Sequence, residues 1–509
     1  MILAVLLVGL IVGAGFGVPL AAGLVFLGAI TWFLIAYGFS PFKYGAQGFF
    51  WTAVATSVGI DALGLIVPVP LGWLSDVALF LSLPFIVASI PQAFRVSRIM
   101  YFVTCCFAIA VLLGLISTYF SEFTNPKAAI YQFLYNARWP LMLLMGFRIG
   151  WDQYGEKRLV QVMIAFVIIV SLFLVLQFGA PGTYYRLFGS RLFEDGHIGN
   201  PLVGGHLPRG TGPFVISTML AYFASVFCGF AWVLALQRRS EKKLLAYSLP
   251  VVLFVLLILS GQRQETATVL GTLGLVTVAL KVKSPLKAFF LSFSVLFIAF
   301  ALIGLLLGPK LLQILGEQWG FLPSFNPIEA ARPVFVGDSI RLANTYFPFG
   351  TGFGTFAGNG ARLFDRNLYE YLGYGAYWWY AADKFLLDTY WPNYVAELGW
   401  LGFSILFLIP IVICCYTWLK IFDTTDETHR RLRAYAFIGQ IVPFGISLTS
   451  ALYSSPGMVG FSMALFGMSL SYGKIAKVVE RSRDRRHSSV IVANAERADR
   501  RVKPGFVGA

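Results

Sequence analysis

The chain has 509 residues, of which 58% are hydrophobic and only 12% charged, with a mean hydropathy of +0.74. A soluble domain carries roughly twice that charged share, so a water-soluble globular protein is excluded. The formal charge is +15, and continuous apolar runs exclude the alternating segments of about ten residues that build a β-barrel.

The expected fold is an all-α polytopic membrane protein. Apolar runs of spanning length fall near 2–16, 18–38, 47–67, 73–91, 98–120, 131–149 and 158–179. They continue near 213–236, 244–260, 265–281, 286–308, 394–421, 433–453 and 457–474. That gives about fourteen transmembrane helices, with a range of about 12–14 because the first two are short. The opening MILAVLLVGLIVGAGFGVPLAAG has no basic n-region, so it is expected to be a retained first helix rather than a signal peptide. The five cysteines, Cys105, Cys106, Cys228, Cys414 and Cys415, lie inside apolar runs, which argues against a disulfide framework or a thiolate metal site.

Short basic connections fix an orientation. They occur at Lys43, at Arg95 and Arg98, at Lys157 and Arg158, and at Arg238, Arg239, Lys242 and Lys243. They recur at Lys281, Lys283 and Lys287, and at Arg430, Arg431 and Arg433. Two spans separate each from the next, so all fall on one face, which the positive-inside rule makes cytoplasmic. Both termini are then expected there, including the basic tail 475–509 with its RSRDRRHSS run. Solvation and contact with anionic lipid account for that tail better than a nucleic-acid partner does.

The resulting organisation is a block of helices over 1–308 with an outer loop near 180–212, then a large outer loop at 309–393. A C-terminal helical block follows at 394–474. No internal repeat is evident, which weakens a transporter built from duplicated halves.

Four stretches near the outer face carry candidate chemistry. In HLPRGTGPFVISTMLAYFASVF, Arg209 precedes a helix expected to open at Pro213, an arrangement that favours an anion; a plain turn with one solvated charge is an equal alternative. In LSGQRQETATVLGTLGL, Arg263 sits in a turn with almost no slack, hemmed in by Gln262, Gln264 and Glu265, which could orient its guanidinium. A planar fork of donors suits a phosphate or diphosphate, while the bland reading is an interfacial snorkelling arginine. DSIRLANTYFPFGTGFGTFAGNG has glycines but no preceding strand and no Lys-Ser/Thr, so the nucleotide-loop reading fails; what is expected is a helix bearing Arg341 and then a Gly-rich turn at the membrane surface. YEYLGYGAYWWYAADKFLLDTYWPNYVAELGWLGF mixes an interfacial aromatic belt with possible sugar-stacking surfaces, and holds Asp383, Asp388 and Glu397. An acid there is a candidate general base, with a structural Arg–Asp pair as the equal alternative. The histidines, His197, His206, His429 and His487, lack ligand spacing, so no metal is expected; Asp61 is a candidate proton-relay carboxylate, for which pairing with a neighbouring helix or a place nearer the interface is the better reading.

In order and position, RGTGPFVISTMLAYF, SGQRQETATVLGTLGL, RLANTYFPFGTGFGTF and NYVAELGWLGF resemble the O-antigen polymerase/O-antigen ligase family of bacterial inner-membrane glycosyltransferases, over roughly residues 160–475. The resemblance implies a periplasmic active site in which Arg209, Arg263 and Arg341 handle an undecaprenyl-diphosphate-linked oligosaccharide, supported by Gln262 and Glu265. It implies no cofactor, membrane lipids as surroundings, and a flippase and chain-length regulator of the same pathway as partners. Ligases of the family carry a histidine about nine residues before the Glu of the AELG-like motif, where this chain has Asp388. That departure favours a polymerase, with Asp388 as base, over a ligase. A flippase for the same lipid-linked sugar is the competing class; it would need charged helix interiors and no large outer loop.

Overall fold

The computed structural model describes residues 97–295 and 331–472, with scattered positions on either side. Within those ranges 152–154, 190–191, 193–199, 201–204, 238–242, 383–385, 387–388, 424–425, 449 and 451–456 are not described. The first four expected spans, the long outer loop as far as 330, and the tail therefore lie outside the described residues, as do Asp61 and Asp388.

Every regular element among the described residues is a helix. In chain order they are α1 (Arg98–Phe120), α2 (Pro126–Ile149), α3 (Gly155–Gly179), the short α4 (Pro181–Phe188), α5 (Ser217–Gln237), α6 (Lys243–Leu259), α7 (Arg263–Lys281) and α8 (Pro285–Val295). Then come α9 (Ala331–Thr345), the short α10 (Asn359–Phe364), α11 (Asn367–Tyr371) and α12 (Trp378–Ala381), and the long α13 (Trp391–Phe422), α14 (Glu427–Ser447) and α15 (Gly457–Tyr472). Four of them, α1, α3, α5 and α13, are long and apolar enough to cross a membrane.

Local chemistry sets several helix ends. Asn125 caps α2 by accepting from the Lys127 N–H at 2.9 Å, with Pro126 in the first turn, so the helix starts before the 131 expected from hydropathy. Asp426 caps α14 in the same way, accepting from Thr428 N–H at 3.0 Å, and the helix runs 427–447 rather than 433–453.

The helices pack around α5. Its apolar stretch is 83% buried, against 33% for α1 and α3, whose outward faces are left for lipid. Ala221, Ala224, Ser225, Gly229 and Ala231 keep α5 slim enough for close neighbours. Phe166 of α3 packs on Phe227 of α5, Phe214 ahead of α5 stacks on Phe223, and Tyr435 and Phe461 close on Phe230 from α14 and α15.

Polar contacts sort the helix ends into two groups. At one end Arg431 pairs with Glu156 at 2.8 Å, Arg430 donates to the Ala279 carbonyl at 2.9 Å, and the His429 and Tyr472 rings meet at 5.1 Å. These contacts join the start of α3, the end of α7, the start of α14 and the end of α15. At the other end Gly210 donates to the Leu259 carbonyl at 2.8 Å, and Gln262 donates to the Ser217 hydroxyl at 2.9 Å. The basic connections at Glu156–Arg158, Lys281 and Arg430–Arg433 thus share one end, and Arg209 and Arg263 share the opposite one.

Candidate functional site

The end away from the basic connections is built on the turn Ser260–Gln262 between α6 and α7. Gly261 takes φ +72°, a left-handed conformation that glycine adopts at little cost. A β-carbon there would stand 3.0 Å from Arg209 Cγ, so the missing side chain is what lets the Arg209 stem lie across the turn.

The segment bearing Arg209 is sewn down on both sides. Gln177, near the end of α3, donates to the Arg209 carbonyl at 3.0 Å and accepts from the Thr211 N–H at 3.0 Å. Asn200 donates to the Ile258 carbonyl at 3.0 Å, tying the first outer loop to the end of α6. The Tyr184 hydroxyl lies 2.7 Å from that of Thr211 and donates to the Gly212 carbonyl at 2.9 Å. Burial pushes the Tyr184 phenol up to about 12, so it remains a donor.

This arrangement corrects one expectation. The helix after Arg209 opens at Ser217, not Pro213, because Gly212 at φ +58° and the bends at 214–216 hold the backbone out of helical conformation. Arg209 is positioned by the α6–α7 turn and by Gln177, rather than by a helix N-terminus.

Arg263 is the first residue of α7, exposed, and its guanidinium forms no hydrogen bond or ion pair among the described residues. Two of its expected orienting neighbours, Gln262 and Glu265, face elsewhere. Gln262 donates to the Ser217 and Thr218 hydroxyls at 2.9 and 3.2 Å, bracing the start of α5. Glu265 is 2% exposed, and the cations whose charge reaches it are Arg332 and Arg209. Residues two apart on a helix do not share a face, so Glu265 turns inward while Arg263 turns out.

Arg332, at the start of α9, was not singled out by sequence, and it brings the long outer loop to this turn. Arg341 is farther off. It follows Arg332 by nine positions (341 − 332), or about 13–14 Å along the helix axis. Its side chain is 60% exposed and pairs with Asp338 at 3.0 Å. Tyr374 donates to the same Asp338 at 2.8 Å, and burial first, then the Asp338 charge, raises the Tyr374 phenol. No contact among the described residues joins Arg341 to Arg209 or Arg263.

The Gly-rich stretch after α9 is not the surface turn expected. It inserts between α1, α2 and α13. Gly399 at φ +63° breaks α13, and its close approach to the Pro348 carbonyl leaves no room for a β-carbon. At the break, the Ala396 and Glu397 carbonyls accept from Thr351 and Gly352 N–H at 2.8 and 2.9 Å. Phe353 N–H donates to the Thr118 hydroxyl at 2.9 Å, and Gly360 N–H to the Gln132 side chain at 3.1 Å. The Glu397 carboxylate, fully buried, accepts from Phe356 N–H at 3.2 Å, with the Gly354 and Thr355 N–H groups also directed at it. Glu397 is therefore the organiser of this segment. Irregular backbone at a broken helix is tolerated in a membrane only where protein or a cavity surrounds it.

Asp388 and Asp383 lie outside the described residues; Leu386 and Thr389 on either side of Asp388 are buried. His206 is exposed, whereas His197 lies outside the described residues. No family model matches the chain, and no curated protein matches it.

Proposed function

We propose that the chain is a bacterial inner-membrane polymerase of lipid-linked oligosaccharide repeat units, with the basic connections and both termini on the cytoplasmic side. The observation that carries this reading is the convergence of Arg209 and Arg263 on one small turn, at the end opposite the basic connections, with the Arg263 fork exposed. A guanidinium held there is matched to a diphosphate at the membrane surface.

In the proposed reaction a sugar hydroxyl of one lipid-linked unit attacks the anomeric carbon of another. The bond from that carbon to the undecaprenyl diphosphate oxygen breaks, and the diphosphate leaves with the electron pair. Arg209 and Arg263 stabilise its growing charge, and Arg332 supplies a third cation beside Glu265. Asp388 takes the hydroxyl proton. Arg341 pairs with Asp338, which Tyr374 in turn holds, and in this reading it serves the glycan rather than the diphosphate. Of the aromatic residues of 369–391, the exposed Tyr371 and Trp378 offer sugar-stacking faces, whereas Tyr369, Tyr374, Trp379, Tyr380, Tyr390 and Trp391 are buried in the core.

Glycan chain length in a strain lacking the protein tests the reading. Export of single repeat units without polymer supports a polymerase. Loss of all export would instead mean a flippase, and normal polymer lacking only its final acceptor would mean a ligase.

A further inference from the structure

A polar cavity lies at the end opposite Arg209 and Arg263, among the ends of α1, α13, α14 and α15. Its volume is about 360 Å³, and its polar lining is Ser97, Arg98, Thr417, Lys420, His429, Arg433 and Ser469, with the Thr417 hydroxyl spent on the Ile413 carbonyl. That size falls within the range of small-ligand sites. Nothing in the polymerase reading uses it.

The charge balance of the cavity is uneven. Arg98, Lys420 and Arg433 are permanent cations, and no carboxylate is among the lining residues. Asp423 pairs with Lys420 and its charge also reaches Arg433, and the Asp426 charge reaches His429, so among the described residues two carboxylates stand against the three permanent cations. Arg433 spends one donor on the Lys420 carbonyl. Arg98 forms no ion pair among the described residues, and it is the first residue of α1, with no acid in the first turn and no side-chain cap from Ser97. A cation on the positive end of a helix dipole, beside further cations, is an arrangement that an anion relieves. His429 adds an imidazole from the first turn of α14, and Ser97 and Ser469 add hydroxyls.

The remaining lining is apolar: Ile99, Leu470 and the Tyr416 ring. Cationic and hydroxyl groups at helix ends with an apolar flank match a phosphate whose ester carries acyl chains. We propose that this cavity binds the headgroup phosphate of an anionic phospholipid from the leaflet at the basic end. Basic pockets between transmembrane helices are suited to such headgroups. The site is independent of the polymerase reading and stands if that reading fails.

The test uses the purified full-length chain in lipid nanodiscs. Phosphatidylglycerol should raise the unfolding temperature over phosphatidylcholine by about 2–4 °C, the scale of a modest ligand effect on a chain of this size. Arg98→Gln with Arg433→Gln should abolish that difference. Lys283→Gln with Lys287→Gln, which removes equal charge from the same end of the molecule, should keep it. If the Arg98/Arg433 variant does not fold, the single Arg98→Gln variant is read by mass spectrometry, as a loss of phosphatidylglycerol retained through delipidation. Equal unfolding temperatures in the two lipids would overturn the site. A shift that survives the double Arg variant, or that vanishes with the Lys variant, would reduce it to general surface charge. An equal shift from millimolar inorganic phosphate without lipid would overturn the lipid assignment in favour of a soluble phosphate.

Discussion

Arg209 rests on Gly261, two residues before Arg263, so two distant stretches of sequence present their arginines from one turn. That contact depends on a missing side chain and a backbone at φ +72°.

Gly261→Ala should therefore cost about 1 kcal/mol of stability through the left-handed backbone. It should cost about tenfold or more in polymerisation, because the Arg209 stem has to move. Gly274→Ala, where an added β-carbon meets nothing within 4 Å, is the control and should leave turnover unchanged. Thermal unfolding and polymer yield read side by side separate the two effects.

Glu397 leads to a stability prediction. Glu397→Ala orphans the Phe356 N–H and loosens the inserted segment, at roughly 1–3 kcal/mol for each buried group left unpaired. Glu397→Gln keeps an accepting oxygen and should fold with a smaller loss. Equal unfolding temperatures for the two variants would remove Glu397 from its organising role.

Hydropathy made the described helices legible, and of the basic connections those at Lys157 and Arg158, Lys281 and Arg430–Arg433 share one end, as their spacing implied. Topology put Arg209 and Arg263 on one face, but the contact of the Arg209 stem with Gly261 had no local signal. The inserted Gly-rich segment had none either, because its amides are satisfied by carbonyls freed at Gly399, a break that a continuous apolar run conceals. Glu397 was visible only as an acid. Arg332 carried no local signal, since nothing in ARPVF shows that a carboxylate waits behind the turn at Gln262–Glu265.

Tyr184 has a signature in alkali. Burial raises its phenol from 10.0 to about 12, so the folded state holds that proton over a range where the unfolded chain has released it. The associated stability is complete below about pH 10 and is lost as pH rises toward about 12. Tyr184→Phe should lose the hydrogen bonds to Thr211 and Gly212, at about 0.5–1.5 kcal/mol each. The gap between variant and wild type should narrow above pH 10, as followed by urea unfolding at stepped pH.

Chelation should leave polymerisation intact. In the proposed reaction arginines supply the positive charge at the leaving diphosphate. Loss of activity in EDTA, with recovery on adding Mg²⁺ or Mn²⁺, would contradict a metal-free mechanism.

The most direct test reconstitutes the purified chain in liposomes with an undecaprenyl-diphosphate-linked repeat unit and compares wild type with Arg263→Lys and Arg263→Ala. A point charge cannot reproduce a planar fork, so the Lys variant should be impaired nearly as much as the Ala variant at normal protein level. Wild type should yield a glycan ladder with one undecaprenyl diphosphate released per linkage. Full activity in the Lys variant would make Arg263 an interfacial anchor, and the absence of any ladder from wild type would contradict the polymerase reading itself.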